Sequence, residues 1–332
     1  PGVSDPPPPG PAPAPLPPGP APAPLPPGPL RVQSVLYRTG FAEVVRLVSG
    51  IAAAAARARA EGLAGEVVVA LGDSTPTPCL DDAEVDQLVA LAGAGGLTGL
   101  RYDPFGANLG HGGGHNRLRS GAPGSGAARA GRARRGEVLV LVNPDAYPAP
   151  SALSHLLAAL AAPGVAVAEA RQVPADNPKL FDRDSGATAW AAACCIAIPL
   201  EAFDRVGGFD PSFFMHGDDV DLSWRLRLAG GEVRYVPAAV VFHDRRIEAS
   251  GYASSPPSAA HHIWLAHLVR TEKAGRSAEA TSMAEAMAGS GEPWQVSAAA
   301  DLGRLRDRRD PALTPYPPAA EVYLALSELR QF

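Results

Sequence analysis

Hydrophobic residues in this chain occur in two patterns: short unbroken runs, and runs spaced by three or four positions. Unbroken apolar runs bounded by glycine, proline or charge are typical of strands covered on both faces, and the wider spacing is typical of helices with one buried side. The first pattern predicts strands over residues 32–37, 66–71, 98–102, 137–142, 165–170, 232–237 and 239–242. The second predicts helices over residues 41–60, 81–92, 152–162, 261–270, 277–288 and 321–329, and residues 187–198 form a further apolar segment.

Strands and helices alternate through the first third of the chain, which predicts a mostly parallel sheet with right-handed crossovers. In such sheets ligands bind at the carboxyl ends of the strands, and Asp73 and Asp145 each follow a predicted strand. Asp73 is suited there to accept hydrogen bonds from a ribose or a base edge, and Asp145 to hold Mg²⁺ or Mn²⁺ against a diphosphate. Both positions are equally consistent with ordinary strand-ending turns.

Residues 207–225 contain three carboxylates in four positions, Asp218, Asp219 and Asp221, directly after a glycine-rich aromatic segment. An apolar stripe from Val220 through Trp224 predicts a helix that begins near Asp218. One aspartate at a helix start is ordinary capping, worth roughly 0.5–2 kcal/mol. Three like charges repel and raise one another's pKa, so a functional carboxylate and a capping role are about equally supported.

Three further segments carry candidate chemistry. Residues 108–116 are rich in glycine and predict a loop whose backbone N–H groups can approach a ligand. Residues 120–136 are rich in glycine, alanine and arginine and predict a solvated surface loop, with contact to an anionic lipid or phosphate as the minority alternative. His243 follows a predicted strand, where it is either a metal ligand or a satisfied surface residue.

The chain has 332 residues, of which 46% are hydrophobic, and a net charge of −5. This suits one large α/β domain or two small ones and argues against a nucleic-acid-binding protein, which should be basic. The three cysteines show neither a zinc spacing nor a disulfide pattern, and no apolar run reaches the length of a membrane span. With no visible signal peptide, we expect a cytoplasmic protein.

Residues 1–30 are proline-rich and contain the same nine-residue unit twice, starting at Gly10 and at Gly19. That composition favours an extended linker or a disordered tail without a core. The predicted organisation is a proline-rich tail over 1–30, an α/β domain over 31–246 and a helical C-terminal extension over 247–332.

Taken together, six segments resemble the inverting family 2 glycosyltransferases of the GT-A fold, especially the bacterial rhamnosyltransferase-like branch, from about Val32 to His243. Residues 207–225 resemble the family's Gly-Gly-Phe-Asp…Phe-Phe…Glu-Asp-x-Asp-Leu…Arg signature, and residues 235–243 resemble the strand that ends in a metal-linked histidine. The other matching segments are Val35-Leu36-Tyr37-Arg38, Gly72-Asp73-Ser74, Asn108-x-Gly110 with Asn116, and Asn143-Pro144-Asp145, which is similar to the metal-binding Asp-x-Asp.

The resemblance implies a Rossmann-like GT-A sheet and transfer, with inversion, of a sugar from a nucleotide-diphospho-sugar such as dTDP-rhamnose or a UDP-sugar. The acceptor would be a hydroxyl of a cell-envelope glycan or of a lipid-linked sugar, with peripheral contact to the inner face of the plasma membrane left open. Asp219 aligns with the catalytic base, and Asp145 and His243 would hold the divalent cation, Mg²⁺ or Mn²⁺. The implied nucleotide-sugar-binding residues are Tyr37, Asp73, Asn108, Asn116, Asn143 and Asp145. The implied acceptor-side residues are Trp190, Phe214, Asp218 and Asp221.

The sequence departs from the family pattern at two positions, since Asp218 stands where glutamate is usual and Asn143 where the first aspartate is usual. Two alternatives remain. A catalytically degenerate protein that binds a nucleotide sugar or scaffolds an assembly would be favoured by loss of Asp219 or Asp145, and both are present. A nucleotidyltransferase would need a glycine-rich basic loop after the first strand, which residues 37–40 match poorly.

Overall fold

A computed structural model describes residues 28–121, 136–245, 257–307, 313 and 315–316 of the chain. Most of the proline-rich tail, most of the arginine-containing segment 120–136 and the helix predicted over 321–329 lie outside the described residues. No observation tests the predicted domain boundaries at residues 30 and 246, which remain predictions.

The centre of the described chain is an eight-stranded mixed sheet. Its strands, in chain order, are β1 Leu30–Leu36, β2 Val67–Asp73, β3 Gly99–Pro104, β4 Val138–Val142, β5 Ala146–Pro148, β6 Val165–Val173, β7 Cys195–Pro199 and β8 Glu232–His243. They lie in the order β3-β2-β1-β4-β7-β6-β8-β5. The first four in that order are parallel, as predicted, whereas β7 is antiparallel to both of its neighbours and β5 is antiparallel to β8.

Strand β4 shows why these runs become strands. All five of its residues are buried, and successive side chains point to opposite faces of the sheet. Val138, Val140 and Val142 belong to the core on one face, and Leu139 and Leu141 belong to the core on the other. An unbroken apolar run therefore fits this strand because helices cover both faces.

Helices surround the sheet and continue beyond it. They are α1 Phe41–Ala60, α2 Asp82–Ala94, α3 Gly110–Ser120, α4 Ala152–Leu160, α5 Leu200–Arg205, α6 Asp218–Leu228, α7 Pro257–Lys273, α8 Ser277–Ala288 and α9 Pro293–Asp307. The helices predicted over 41–60, 81–92, 152–162 and 277–288 are confirmed to within two residues. Helix α9 was not predicted, and of the apolar segment 187–198 only the last residues form a strand.

The prediction of a loop over residues 108–116 is wrong, because most of this segment forms α3. Its glycines allow close packing between protein elements. A Cβ on Gly112 would lie 2.8 Å from the Cβ of Phe209, and a Cβ on Gly114 would lie 2.6 Å from a methyl group of Val35 on β1. The helix therefore forms despite a propensity cost of roughly 1 kcal/mol per glycine, since only glycine lets it approach so closely.

Helices α7, α8 and α9 share their own apolar cluster, which includes Leu268, Val269 and Leu302 and also Phe213 from the segment before α6. Gly217, which precedes α6, touches this layer directly, because a Cβ there would lie 2.7 Å from the Cβ of Ala266. The extension thus packs against the start of α6. None of the helices in the described ranges is both long and apolar enough to cross a membrane.

Two neighbouring glycines of α3 test this packing. We expect Gly112→Ala to lower the free energy of unfolding by about 1–3 kcal/mol, because the new methyl group overlaps Phe209. Gly113→Ala is the matched control: its Cβ would meet only Leu109 at 3.5 Å, so it should stabilise the protein by up to about 1 kcal/mol through helix propensity. Urea unfolding of both variants measures the difference, and equal effects at the two sites would contradict the packing argument.

Candidate functional site

A cavity of about 820 Å³ opens where β1 and β4 end and α6 begins. This is the carboxyl edge of parallel strands, at which ligands bind in α/β sheets. Six of the sequence-predicted site residues line it: Tyr37, Asn108, Asn143, Trp190, Asp218 and Asp219. The other six, considered below, do not line it: Asp73, Asn116, Asp145, Phe214, Asp221 and His243.

Asp219 is on the first turn of α6 and faces the cavity. Its carboxylate accepts hydrogen bonds from the N–H of Val220 at 2.8 Å and from the N–H of Ala193 at 3.2 Å. Burial and the neighbouring charge of Asp218 raise the pKa of Asp219 above its ordinary value. An oriented carboxylate with a raised pKa is a stronger base than a free aspartate, provided that it stays ionised.

His111, on α3, is a cavity residue that sequence reasoning missed. Its Nδ1 lies 2.6 Å from Oδ2 of Asp218. Burial opposes protonation of this imidazole, but the charge and hydrogen bond of Asp218 outweigh burial and raise the pKa of His111; a hydrogen bond with the Asn143 side chain acts in the same direction. No spacing in the sequence distinguished this histidine, because its segment was predicted to be a loop.

Asp145 and His243, the two predicted metal ligands, lie together. The pairing of β5 with β8 sets Ala146 opposite His243, and Nε2 of His243 is 3.3 Å from Oδ1 of Asp145. Burial opposes ionisation of Asp145, but His243 outweighs it and lowers the pKa of that carboxyl. Nδ1 of His243 lies 2.7 Å from Oε1 of Gln172, an acceptor, which leaves Nε2 to face Asp145.

The donor set of this pair fits a divalent cation. Adjacent ligands at about 2.1 Å from an octahedral ion lie about 3 Å apart, close to the separation observed here. The described residues contain no group of three or more His, Cys, Asp or Glu side chains gathered for metal binding. A pair suits an ion that takes its remaining ligands from phosphate and water, as Mg²⁺ usually does.

Two predicted donor-side residues turn away from the cavity. Asp73 is fully buried and accepts hydrogen bonds from the N–H groups of Thr75 and Cys79 and from the hydroxyl of Tyr102. Burial opposes ionisation, but these hydrogen bonds together lower the pKa of Asp73. Asn116 exchanges two hydrogen bonds with the backbone of Phe209, at 2.8 and 2.9 Å, and so braces the segment that leads to α6.

On the predicted acceptor side, Trp190 lines the cavity and its ring centroid lies 4.1 Å from Nζ of Lys179. Lys179 forms a buried ion pair with Glu169, although burial still raises the pKa of that carboxyl to about 7. Phe214 does not line the cavity. Its ring contacts His262 of α7, and its carbonyl accepts a hydrogen bond from the N–H of His111.

Asp221 also lies outside the cavity, fully buried between α6 and the C-terminal extension. It accepts hydrogen bonds from Nε of Arg225 at 2.7 Å, Nζ of Lys273 at 2.6 Å and the hydroxyl of Tyr316 at 2.5 Å. Burial opposes ionisation, but the charges of Arg225 and Lys273 outweigh it and lower the pKa of Asp221. The contacts of Asp221 are those of a structural ion pair.

The extension contributes to the cavity, which the sequence did not indicate. Ile263, Ala266 and Arg270 of α7 line it, and the Arg270 side chain is largely buried against the ring of Trp224. A site built only from the α/β domain would lack this wall.

No protein-family model matches the chain. In sequence it is similar to an N-acetylglucosaminyl-diphospho-decaprenol L-rhamnosyltransferase of Mycobacterium tuberculosis, with 29% identity over 199 residues, which is 49% of this chain. The match spans 64% of that relative, less than two thirds of its length.

Two solved structures share the fold. A mannosyltransferase from Pyrobaculum calidifontis, solved in complex with GDP-Man and Mn²⁺, superposes with a TM-score of 0.50 and 18% identity over 90% of this chain and 79% of its own. GalNAc-T7, solved with UDP, GalNAc and Mn²⁺, superposes with a TM-score of 0.54 and 16% identity over 85% of this chain and 55% of its own. The predicted GT-A fold is confirmed, whereas no comparison tests the individual site residues.

The network at Asp221 predicts how stability depends on pH. Folding lowers the pKa of Asp221. The contribution of this carboxylate to the free energy of unfolding is therefore fully present above its pKa in the unfolded chain, about 4, and is lost as pH falls through its lower pKa in the folded protein. At pH 7 we expect Asp221→Asn to destabilise the protein by about 3 kcal/mol, since it removes one partner of a buried ion pair. The gap between variant and wild type should close as pH falls below about 4 in urea-unfolding measurements.

Tyr316→Phe is the matched control for this network, because it removes one hydrogen bond and no charge. It should cost about 1 kcal/mol and leave most of the pH dependence in place, because Arg225 and Lys273, which lower the pKa of Asp221 more than Tyr316 does, remain. A gap between Asp221→Asn and wild type that stays constant with pH would contradict the assignment.

Proposed function

We propose that the chain, as a rhamnosyltransferase-like family 2 glycosyltransferase of the GT-A fold, is an inverting enzyme. It would transfer a sugar from a nucleotide-diphospho-sugar to a hydroxyl group. The observation that carries this proposal is Asp219, a cavity-facing carboxylate held by two backbone N–H groups at the start of α6. A base in that position is what an incoming hydroxyl nucleophile requires.

In this proposal Asp219 accepts the proton of the acceptor hydroxyl as its oxygen attacks the anomeric carbon. The new oxygen–carbon bond forms on the face opposite the nucleoside diphosphate, whose bond to the same carbon breaks, so the configuration inverts. Burial supports this role, because it raises the pKa of Asp219 and so strengthens the base. The proton ends on Asp219 and the electron pair leaves with the diphosphate.

The donor would occupy the side of the cavity lined by Tyr37, Asn108 and Asn143. Asp73 and Asn116 would act on the donor through backbone, since Asp73 orders the turn beside the cavity-lining Ser74 and Asn116 braces residue 209. These hydrogen-bonded supports would hold the donor in one orientation, which is a large part of catalysis by position.

Asp145 and His243 would hold a divalent cation near the donor diphosphate. Their 3.3 Å separation and the partner of Nδ1 support that role. When bound, such an ion offsets the negative charge on the departing diphosphate. The mannosyltransferase complex with GDP-Man and the GalNAc-T7 complex with UDP and GalNAc both contain Mn²⁺, which is consistent with this use.

The acceptor would enter beside Trp190, whose aromatic face suits the C–H surface of a sugar. The rhamnosyltransferase relative is named for a sugar linked to diphospho-decaprenol, and we propose a cell-envelope glycan or a lipid-linked sugar as the acceptor here. With a lipid-linked acceptor, we propose that the protein works in the cytoplasm at the inner face of the plasma membrane. dTDP-rhamnose and UDP-sugars are the donors to try first.

Replacement of the base gives the direct test. We expect Asp219→Asn to lower the turnover rate by about 100- to 10,000-fold while donor binding is retained, since the amide cannot accept the proton. Release of nucleoside diphosphate with a panel of nucleotide sugars and acceptor extracts measures turnover, and calorimetry measures binding. A wild type that binds a donor and never turns over, with Asp219→Asn binding equally well, would favour the binding-protein alternative.

Metal removal tests the second part of the site. A chelator should abolish nucleoside diphosphate release, and Mn²⁺ or Mg²⁺ should restore it. Asp145→Asn should raise the cation concentration for half-maximal activity by more than about tenfold. The control is Asp244→Asn, because Asp244 is about half exposed and pairs only loosely with Arg46, at 3.8 Å. Activity that is indifferent to the chelator would overturn the metal assignment.

A further inference from the structure

His111 is held by four neighbouring residues and has one side open to the cavity. Its Nδ1 lies 2.6 Å from Asp218, and its ring meets the rings of His115 and Phe209 edge-on, with centroids 4.8 and 5.5 Å apart. The backbone N–H of His111 donates a hydrogen bond to the carbonyl of Phe214 at 3.1 Å. The same imidazole lines the cavity. Packing therefore leaves the ring one orientation, in which it engages Asp218.

The titratable groups around this imidazole come from three elements. Asp218 and Asp219 face it from α6 and favour its charged form. His115, on α3, is buried, and burial followed by the charge of His111 lowers its pKa well below the ordinary value, so it is neutral. Burial also lowers the pKa of His216, in the segment before α6, even though both carboxylates oppose the shift. Of the three histidines, His111 is therefore the one whose charged form the carboxylates of Asp218 and Asp219 stabilise.

We propose that His111 is a positioning residue for the transfer reaction: by binding Asp218 it neutralises that carboxylate and leaves Asp219 as the one that accepts the proton. This inference rests on the proposed function, in which Asp219 is the base. It assigns a separate role to each of two adjacent aspartates, which the sequence alone cannot distinguish.

The physical reason is the repulsion between neighbouring carboxylates. With Asp218 uncompensated, its charge would disfavour ionisation of Asp219, so that at a given pH a smaller fraction of the base could accept a proton. The charge of His111 acts in the opposite direction and lowers the pKa of Asp219. The hydrogen bond to His111 also occupies Oδ2 of Asp218, so that this carboxylate is a poorer competitor for the acceptor hydroxyl.

A double-mutant cycle tests the pair. His111→Phe should lower the turnover rate at neutral pH by about tenfold or more, yet by less than the roughly 100- to 10,000-fold expected on removal of the base itself. The KM for the donor should change by less than about twofold. Because Asp218→Asn removes the charge that His111 compensates, the double variant should be no slower than Asp218→Asn alone. Effects that simply multiply would overturn the proposal.

The pH profile separates positioning from a merely structural role. Without the imidazolium, ionisation of Asp219 becomes less favourable, so the acid limb of kcat/KM should move to higher pH in His111→Phe and return in the double variant. His111→Asn, whose amide N–H can reach Asp218 from nearly the Nδ1 position, should recover part of the rate. Thermal unfolding verifies that each variant is folded, and an acid limb that does not move in folded His111→Phe would refute the inference.

A failure of the proposed function would be recognised separately. If wild type transfers no sugar, the carboxyl ¹³C resonance of Asp219, assigned with Asp219→Asn, can be titrated in wild type and in His111→Phe. A higher pKa of Asp219 in His111→Phe would support the pairing even without turnover. An unchanged pKa would overturn it, whatever the reaction is.

Discussion

Repulsion among three carboxylates at the start of one helix is the constraint on which the site depends. The positive end of α6 favours them there, but it cannot by itself stabilise three charges. Each one has its own partners: His111 for Asp218, two backbone N–H groups for Asp219, and Lys273 with its neighbours for Asp221. Helix α3, the segment before β7 and the C-terminal extension therefore all converge on the first turn of α6.

Sequence reasoning found what periodicity and strand order determine. It predicted most of the strands and the helix at 218, whereas the pairing of Asp145 with His243 was implied only by the family resemblance and arises from the antiparallel pairing of β5 with β8. It predicted a loop where α3 lies, because a high glycine content is typical of loops. The contacts that stabilise this glycine-rich helix exist only in the folded protein and cannot be read from the sequence. It likewise assigned Asp73 and Asn116 to the donor, since the direction of a side chain at the end of an element depends on tertiary partners.

Asp221 is a different case, because the spacing alone could have separated it from Asp219. Two positions on an α-helix turn by about 200°, so these side chains face nearly opposite directions. If Asp219 faces the cavity, then Asp221 must face the interior, where it requires cationic partners. One cation, Arg225, comes from α6 itself, whereas Lys273 of α7 and the hydroxyl of Tyr316 come from segments with no signature in the sequence. The extension is therefore a structural support of the start of α6 as well as a wall of the cavity.

The two buried lysine ion pairs have a chemical consequence. Lys179 and Lys273 are the only lysines in the sequence, and each side chain is 3% exposed. Arginine supplies the other basic side chains of the chain, whereas a primary amine is present only at these two buried positions. The ε-amines are thus shielded in the native state. Acylating reagents directed at lysine would modify them only when the protein opens, so their reaction rate would report local unfolding beside Trp190 and beneath α6.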